Sequence, residues 1–316
     1  MNTIKIAVLM DDINNIKPHK DSSLAMMLEA TRRNWEIYTF DSPDMFSDAD
    51  QAMTICTKTL VFDHAEHWYE KGPELTLPLE HFDVILMRKD PPFNMNYIYA
   101  TYFLEQAENK GVLVVNKPQS LRDANEKLFA LNFPHCIAKT FVSSNQDQIK
   151  SFIKMQGICV VKPLDGMGGK DIFKLEHHDD NINEVLKYLT HQNTTPIMAQ
   201  EFLPEISQGD KRILLINGQP IDYALARMPA KGSFKGNLAA GATGVGQPLT
   251  DRDRYLCEQI APTLRAKGLM FVGLDVIGNY ITEINVTSPT CIRELDEQFN
   301  LNIAGVLFDA IEQALD

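Results

Sequence analysis

The chain has 316 residues, more than one average domain and enough for two or three lobes around sizeable cores. With 44% hydrophobic and 23% charged residues, it has the composition of an ordinary soluble, globular protein. A net charge of −12 argues against nucleic acid as the main partner, because a phosphate backbone calls for a basic face, yet it leaves room for anionic ligands in a locally basic pocket. Cys56, Cys136, Cys159, Cys257 and Cys291 are scattered, with no CxxC pair. That pattern reads as a reducing compartment with neither a disulfide framework nor a zinc site. The N-terminal IAVLM is too short for a signal segment and runs straight into Asp11 and Asp12, and no apolar run approaches a membrane span. The expected location is the cytoplasm.

In chain order, IKIAVLM (4–10) is a buried-strand run, and Asp21, Ser22 and Ser23 offer caps to the helix LAMMLEATRR. WEIYTF and FDVILM (82–87) read as further strands. YIYATYFLEQAEN (97–109) has a helical apolar stripe ended by Gly111, and VLVVN is another strand. Strand and helix alternate, which predicts an α/β lobe with a doubly wound, mostly parallel sheet. Residues 41 to 80 are less regular and fit a hairpin excursion. MRKDPPF (87–93) ends a strand at the edge where open α/β sheets bind ligands. Pro91 and Pro92 hold an extended loop, which would fix Arg88 to grip a substrate carboxylate. The alternative is a surface basic pair bridged to Asp90.

LRDANEKLFALNF (121–133) reads as a helix carrying Lys127, and the strand ICVVKP (158–163) ends in Lys162. In LDGMGGKDIFKL, Gly166, Gly168 and Gly169 lie between two strands, so they suit a hairpin lid whose bare amides close on phosphates; a plain hairpin is the alternative. Neither a Walker A loop nor GxGxxG is present. PIMAQEFLP (196–204) is an apolar strand with a polar edge, whose backbone suits adenine pairing with Phe202 and Leu203 framing the base; a plain core strand is the alternative. QGDKR adds Asp210, placed for ribose hydroxyls, and Arg212. ILLINGQPIDYALARMP is a hairpin over Asn217-Gly218 that delivers Arg227. SFKGNLAAGATGVGQP (233–248) has the composition of a mobile lid or a linker. Thr250 and Asp253 cap a helix ending near Gly268, and a last helix spans about residues 302–315.

FVGLDVIGNYITEINVTSPTCIR (271–293) reads as a β-hairpin over Gly278 and Asn279. A two-residue loop would set Leu274 against Glu283, mixing apolar with charged. A three-residue connection, Gly278 to Tyr280, pairs Asp275 with Glu283 and puts Val272, Leu274 and Val276 over Val286, Ile284 and Thr282. One face then buries, and the other presents Asp275, Glu283 and Asn285. That all-oxygen set suits Mg²⁺ held with phosphates; a plain solvated hairpin face is the alternative.

Together, Lys127, VVKPLDGMGG, QEFLP, GDKR, LARMP, GNLAAG and LDVIG…TEINVTSPTCIRE follow the order of an ATP-grasp ligase. MRKDPPF, NKPQSLRDANEK, KPLDGMGG and TEINVTSPT closely resemble the bacterial glutathione synthetases, over nearly the whole chain. The resemblance implies an ATP-grasp fold with a substrate-binding lobe (1–121), an ATP-binding lobe (122–204) and a C-terminal lobe (205–316) carrying the metal site and a mobile loop (228–248). It implies ATP-dependent joining of γ-glutamylcysteine to glycine, with ATP as co-substrate and Mg²⁺, or Mn²⁺, as cofactor. Lys127 and Lys162 would meet ATP phosphates, Gly166, Met167, Gly168 and Gly169 the lid, Gln200, Glu201, Phe202 and Leu203 the adenine, and Asp210 the ribose. Arg227 and Lys162 would be catalytic, and Arg88, Arg212, Arg227, Asn237 and Ser288 would bind substrate. Asp275, Glu283 and Asn285 would hold the metal, and the chain would form a homotetramer. Glu201 stands where the family more often has an amide residue, and Lys235 and Ala242-Thr243 where it more often has arginines. A different ATP-grasp ligase disagrees with MRKDPPF, and a non-catalytic synapsin-like protein disagrees with the complete metal set.

Overall fold

The computed structural model describes residues 3–166, 168–230, 236 and 243–316. The buried run predicted first is β1 (Lys5–Leu9), followed by α1 (Ser22–Arg32). Asp21 caps α1, its carboxylate accepting from the Leu24 N–H at 2.6 Å. β2 (Glu36–Phe40) returns parallel to β1. Residues 41 to 80 form an antiparallel excursion of β3 (Met45–Asp48), β4 (Gln51–Val61) and β5 (Tyr69–Pro78). β6 (Val84–Met87), α2 (Met95–Glu108) and β7 (Leu113–Val115) complete a seven-stranded sheet, ordered β3-β4-β2-β1-β6-β7 with β5 on β4. Pairing is parallel from β2 through β7, as the alternation of strands and helices requires.

The helix expected over 121–133 is broken in two. α3 (Pro118–Asp123) ends at Ala124, and a 3-10 turn spans Phe129–Asn132. The cause is Asn125, whose side-chain oxygen accepts from the N–H groups of Lys127 at 3.1 Å and Leu128 at 3.0 Å. A side chain that serves these amides locally offers an alternative to the helical ladder. Next come β8 (Thr140–Ser143), α4 (Gln146–Gln156), β9 (Ile158–Pro163), β10 (Phe173–Glu176), α5 (Ile182–Leu189) and β11 (Ile197–Glu201). Their four strands form an antiparallel sheet, β10-β9-β11-β8, over a core of its own that includes Ile149, Ile153, Val161 and Leu186.

β12 (Asp210–Ile216) and β13 (Gln219–Met228) turn over Asn217 and Gly218, both at positive φ, as the favoured two-residue hairpin loop demands. β14 (Thr243–Pro248) pairs with β13, setting Gly244 opposite Arg227. The last third of the glycine-rich stretch, expected as loop, is therefore strand. A Cβ at Gly244 would meet Leu225 at 3.0 Å, and one at Gly246 would meet Phe299 at 2.2 Å. These two glycines thus serve close packing, a use that composition cannot distinguish from mobility. Met167, Lys231, Gly232, Lys235, Asn237, Gly241 and Ala242 lie outside the described residues.

α6 (Asp251–Ala266) begins in a Thr250–Asp253 capping box. β15 (Phe271–Ile277) and β16 (Tyr280–Asn285) complete a five-stranded sheet, β14-β13-β12-β15-β16, and α7 (Ile292–Phe299) and α8 (Ile303–Leu315) close the chain. The β15–β16 turn corrects the expected three-residue connection. Ile277 pairs with Tyr280 and Val276 with Ile281, a two-residue loop, and a bulge then restores Asp275 opposite Glu283 and Leu274 opposite Ile284. Val276 therefore faces Ile281, not Thr282, whose hydroxyl donates to Asp275 O at 3.2 Å.

The apolar face of this hairpin (Val272, Leu274, Val276, Ile284, Val286) shares one core with Ala7 and Leu9 of the first sheet. Asn116 fastens the two, donating to Phe271 O at 2.8 Å and Val286 O at 2.7 Å and accepting from Phe271 N–H at 2.8 Å. All five cysteines are buried and unpaired. Among the described residues, no helix is long and apolar enough to cross a membrane.

Candidate active site

The charged face of the five-stranded sheet is a row made by strand register. Arg212 on β12 lies opposite Asp275 on β15, which lies opposite Glu283 on β16. Asp210, two residues before Arg212 and so on the same face, lies opposite Arg227 on β13. Arg212 grips Asp275 with two donors, Nε at 2.5 Å and Nη2 at 3.1 Å, and Arg227 Nη2 reaches it at 2.9 Å. Arg227 also pairs with Asp210. Burial acts to raise the Asp275 carboxyl, but the two guanidiniums outweigh it and hold the group well below the usual carboxylate range. Asp210 goes the other way. Burial, reinforced by the charges of Asp275 and Glu283, pushes it up to about 7 despite Arg227. Its Oδ1 is buried without a hydrogen-bond partner among the described residues.

Opposite this row stand two buried lysines. Lys127 Nζ lies 3.5 Å and Lys162 Nζ 3.6 Å from Glu283 Oε1. Burial lowers the Lys162 pKa from the usual lysine value, against the pull of Glu283. Lys127 also donates to Gly166 O at 2.6 Å, tying the glycine-rich turn between β9 and β10 to the site. These groups enclose a cavity of about 330 Å³, large enough for a substantial ligand. Gly168, Gly169 and Lys170 line its lid side, and Gln200, Glu201, Phe202 and Leu203 form its far wall. The Glu201 and Phe202 N–H groups are spent on Lys139 O and Ile158 O, whereas Leu203 N–H makes no backbone bond among the described residues. A planar base beside this strand end would find that donor free, with Lys174 Nζ 4.4 Å from the Phe202 ring.

Asn285 and Ser288 also line the cavity. Asn285 donates its amide N–H to Gly273 O at 3.2 Å, which leaves its Oδ1 as an acceptor. Asp275, Glu283 and Asn285 offer oxygen donors only, the chemistry that suits magnesium. The arginine contacts at Asp275 use three of the roughly four acceptor positions of a carboxylate, so a cation can share it. Among the described residues, no cluster of three or more His, Cys, Asp or Glu side chains suits a metal.

Arg88 stands apart from the other predicted site residues. Its side chain is buried, with Nε on Ser23 Oγ at 3.1 Å and Nη2 on Pro289 O at 3.0 Å, and it does not line the main cavity. Lys89 pairs with Asp11 and Asp41, not with Asp90. Sequence reasoning also passed over Glu126, Asp90 and Thr287, which line the cavity. Cys291 lines it as well, at φ 88°, but burial pushes its thiol up, away from thiolate chemistry.

An antiparallel sheet and a second, acid-bearing sheet closing on a cavity with paired lysines and a glycine-rich turn define an ATP-grasp ligase. Two solved structures share this fold at low identity. They are D-cycloserine synthetase DcsG (TM-score 0.70, 14% identity, 99% of this chain and 100% of that one) and D-alanyl-alanine synthetase A from Vibrio cholerae (TM-score 0.61, 11% identity, 100% and 99%). The family models for the prokaryotic glutathione synthetase N-terminal domain and ATP-grasp domain match residues 4–122 and 126–300. Glutathione synthetases of Pseudomonas syringae pv. tomato and Coxiella burnetii are 53% and 52% identical, over 99% and 98% of this chain and 98% and 96% of the relatives. The chain belongs to the prokaryotic glutathione synthetase family, and it is an ATP-dependent ligase that makes glutathione.

Proposed function

We propose that this cavity joins γ-glutamylcysteine to glycine through an acyl phosphate, with the roles distributed as follows. Lys127 and Lys162 offset the charge of the ATP phosphates, and the Gly166–Gly169 turn covers them. Gln200 to Leu203 take the adenine and Asp210 a ribose hydroxyl. The cysteinyl carboxylate attacks the γ-phosphorus, and the bond to ADP breaks. Arg227 and Arg212 neutralise the charge developing on the transferred phosphoryl and acyl oxygens. The glycine amine then attacks the acyl carbon, phosphate leaves, and the ammonium proton is released. Ser288 helps to seat the substrate. The enclosed cavity keeps water from the activated carbonyl. Asp275, Glu283 and Asn285 would hold magnesium, or manganese, which would screen the phosphate charge and polarise the γ-phosphoryl group.

The observation that carries this reading is the cross-strand row of Arg212, Asp275 and Glu283 facing Lys127 and Lys162. We take residues 1–121, 122–204 and 205–316 as the three lobes, in keeping with one sheet in each. The five buried, unpaired thiols support a reducing cytoplasmic location, and the family resemblance supports a homotetramer, which light scattering of the purified protein tests. Phosphate release tests the reaction. With γ-glutamylcysteine, ATP and Mg²⁺, phosphate should appear at full rate only when glycine is added, one per glutathione. Equal release without glycine would mean that the amine is not the acceptor.

A further inference from the structure

Glu126 sits at the meeting point of the parts just described, and none of the roles above uses it. It lies in the turn that Asn125 creates. Asn125 Nδ2 donates to Leu164 O at 3.1 Å, at the base of the glycine-rich turn, and Lys127 Nζ reaches Gly166 O and Glu283. Glu126 faces the other way and holds β16. Its backbone carbonyl accepts from Ile284 N–H at 2.8 Å, the residue between Glu283 and Asn285. Its Oε1 accepts three donors just beyond: Val286 N–H at 3.2 Å, Thr287 N–H at 3.3 Å and Thr287 Oγ1 at 2.7 Å. One side chain therefore fixes the strand segment carrying two of the three metal-site residues against the turn carrying Lys127. Hydrogen bonds made directly to metal ligands set their orientation, and their loss typically costs 10–100-fold in metal affinity; Glu126 acts one step further out, through the backbone of Ile284, Val286 and Thr287.

We propose that Glu126 is a positioning residue. Its Oε1 clamps Val286 and Thr287, just beyond β16, so that Glu283 and Asn285 meet the metal–nucleotide complex at the spacing set by Lys127. The inference rests on the metal-site reading above and concerns what makes that site tight. It turns on acceptor geometry, not charge. Glutamine keeps an acceptor oxygen at the same reach, whereas alanine removes it and leaves two backbone N–H groups and the Thr287 hydroxyl without their partner.

The test is Mn²⁺ binding, followed by electron paramagnetic resonance with the non-hydrolysable analogue AMPPNP. Steady-state KM for ATP and kcat are measured alongside. Glu126→Ala should weaken Mn²⁺ binding in the nucleotide complex by about 10-fold or more and raise KM for ATP. Glu126→Gln should bring both back to within about threefold of wild type. Thr287→Val, which removes one donor and leaves the carboxylate in place, should fall between them. Wild-type Mn²⁺ affinity in Glu126→Ala would overturn the proposal, and so would equal damage from Glu126→Gln, which would show that the charge matters and not the clamp. A Glu283→Gln control separates the two readings. If it leaves Mn²⁺ binding unchanged, the metal site is misplaced; if it weakens binding while Glu126→Ala does not, only the clamp fails. Should Glu126→Ala not fold, the Thr287→Val and Glu126→Gln pair still decides, because the clamp requires the first to bind Mn²⁺ more weakly than the second.

Discussion

Glu283 is the residue on which the two lysines and the acid row converge, 3.5 Å from Lys127 and 3.6 Å from Lys162. Glu283→Gln keeps its shape and removes its charge, so turnover should fall on the order of 100-fold at saturating Mg²⁺ while the fold survives. Circular dichroism and the steady-state rate check this together; near wild-type turnover would remove Glu283 from the site. The pairing of Asp275 with Glu283 was legible in the sequence, because only one register keeps Leu274 over Ile284 and the carboxylates together. Arg88 and Glu126 were not. Arg88 sits at a ligand-binding strand edge but turns inward to Ser23 and Pro289, and the chain neighbours of Arg88 do not reveal either partner. Glu126 bonds residues some 160 positions away through a turn that exists only because Asn125 breaks a helix that the apolar pattern alone would continue.

At the scale of elements, α1 is pinned to α8 by Glu29, which takes Arg32 on its own helix, Arg33 at that helix's C-terminal cap and Asn302 at the N-terminal cap of α8. Burial acts to raise this carboxyl, yet the hydrogen bonds from Arg32, Arg33 and Asn302 bring it down to about 2. A carboxylate depressed on folding contributes stability that is present above its unfolded value near 4.5 and is lost as pH falls toward 2. Glu29→Gln should therefore flatten the acid limb of a denaturation profile between about pH 4.5 and 2, and an unchanged limb would show that Glu29 is not what titrates. A second element-scale test uses Gly273, which lies opposite Asn285 on β16. A Cβ there would meet Arg212 Cδ and Pro289 Cβ, each at 2.9 Å. Gly273→Ala should push Arg212 off Asp275 and cost about 1–3 kcal/mol of stability, with activity falling further than thermal stability does. Wild-type kcat would mean that Arg212 need not be held there. The hairpin's position was readable, but its two-residue loop with a bulge was not, because a three-residue connection satisfies the same alternation near the carboxylates.

For the whole molecule, the three sheets follow the succession of strand runs in the sequence, and the cavity between the second and third sheets collects nearly all the predicted site residues that are described. What the sequence could not divide was the glycine-rich stretch, where Gly244 and Gly246 serve close strand packing. The central claim is that one carboxylate oxygen of γ-glutamylcysteine ends up on phosphate. It is measured with substrate labelled with ¹⁸O in the cysteinyl carboxylate, incubated with enzyme, ATP, Mg²⁺ and glycine, and followed by mass spectrometry of the products. An acyl phosphate places one labelled oxygen in the inorganic phosphate for each glutathione made, with ADP as the nucleotide product. Label recovered in AMP, or glutathione formed with no label in phosphate, would contradict the account.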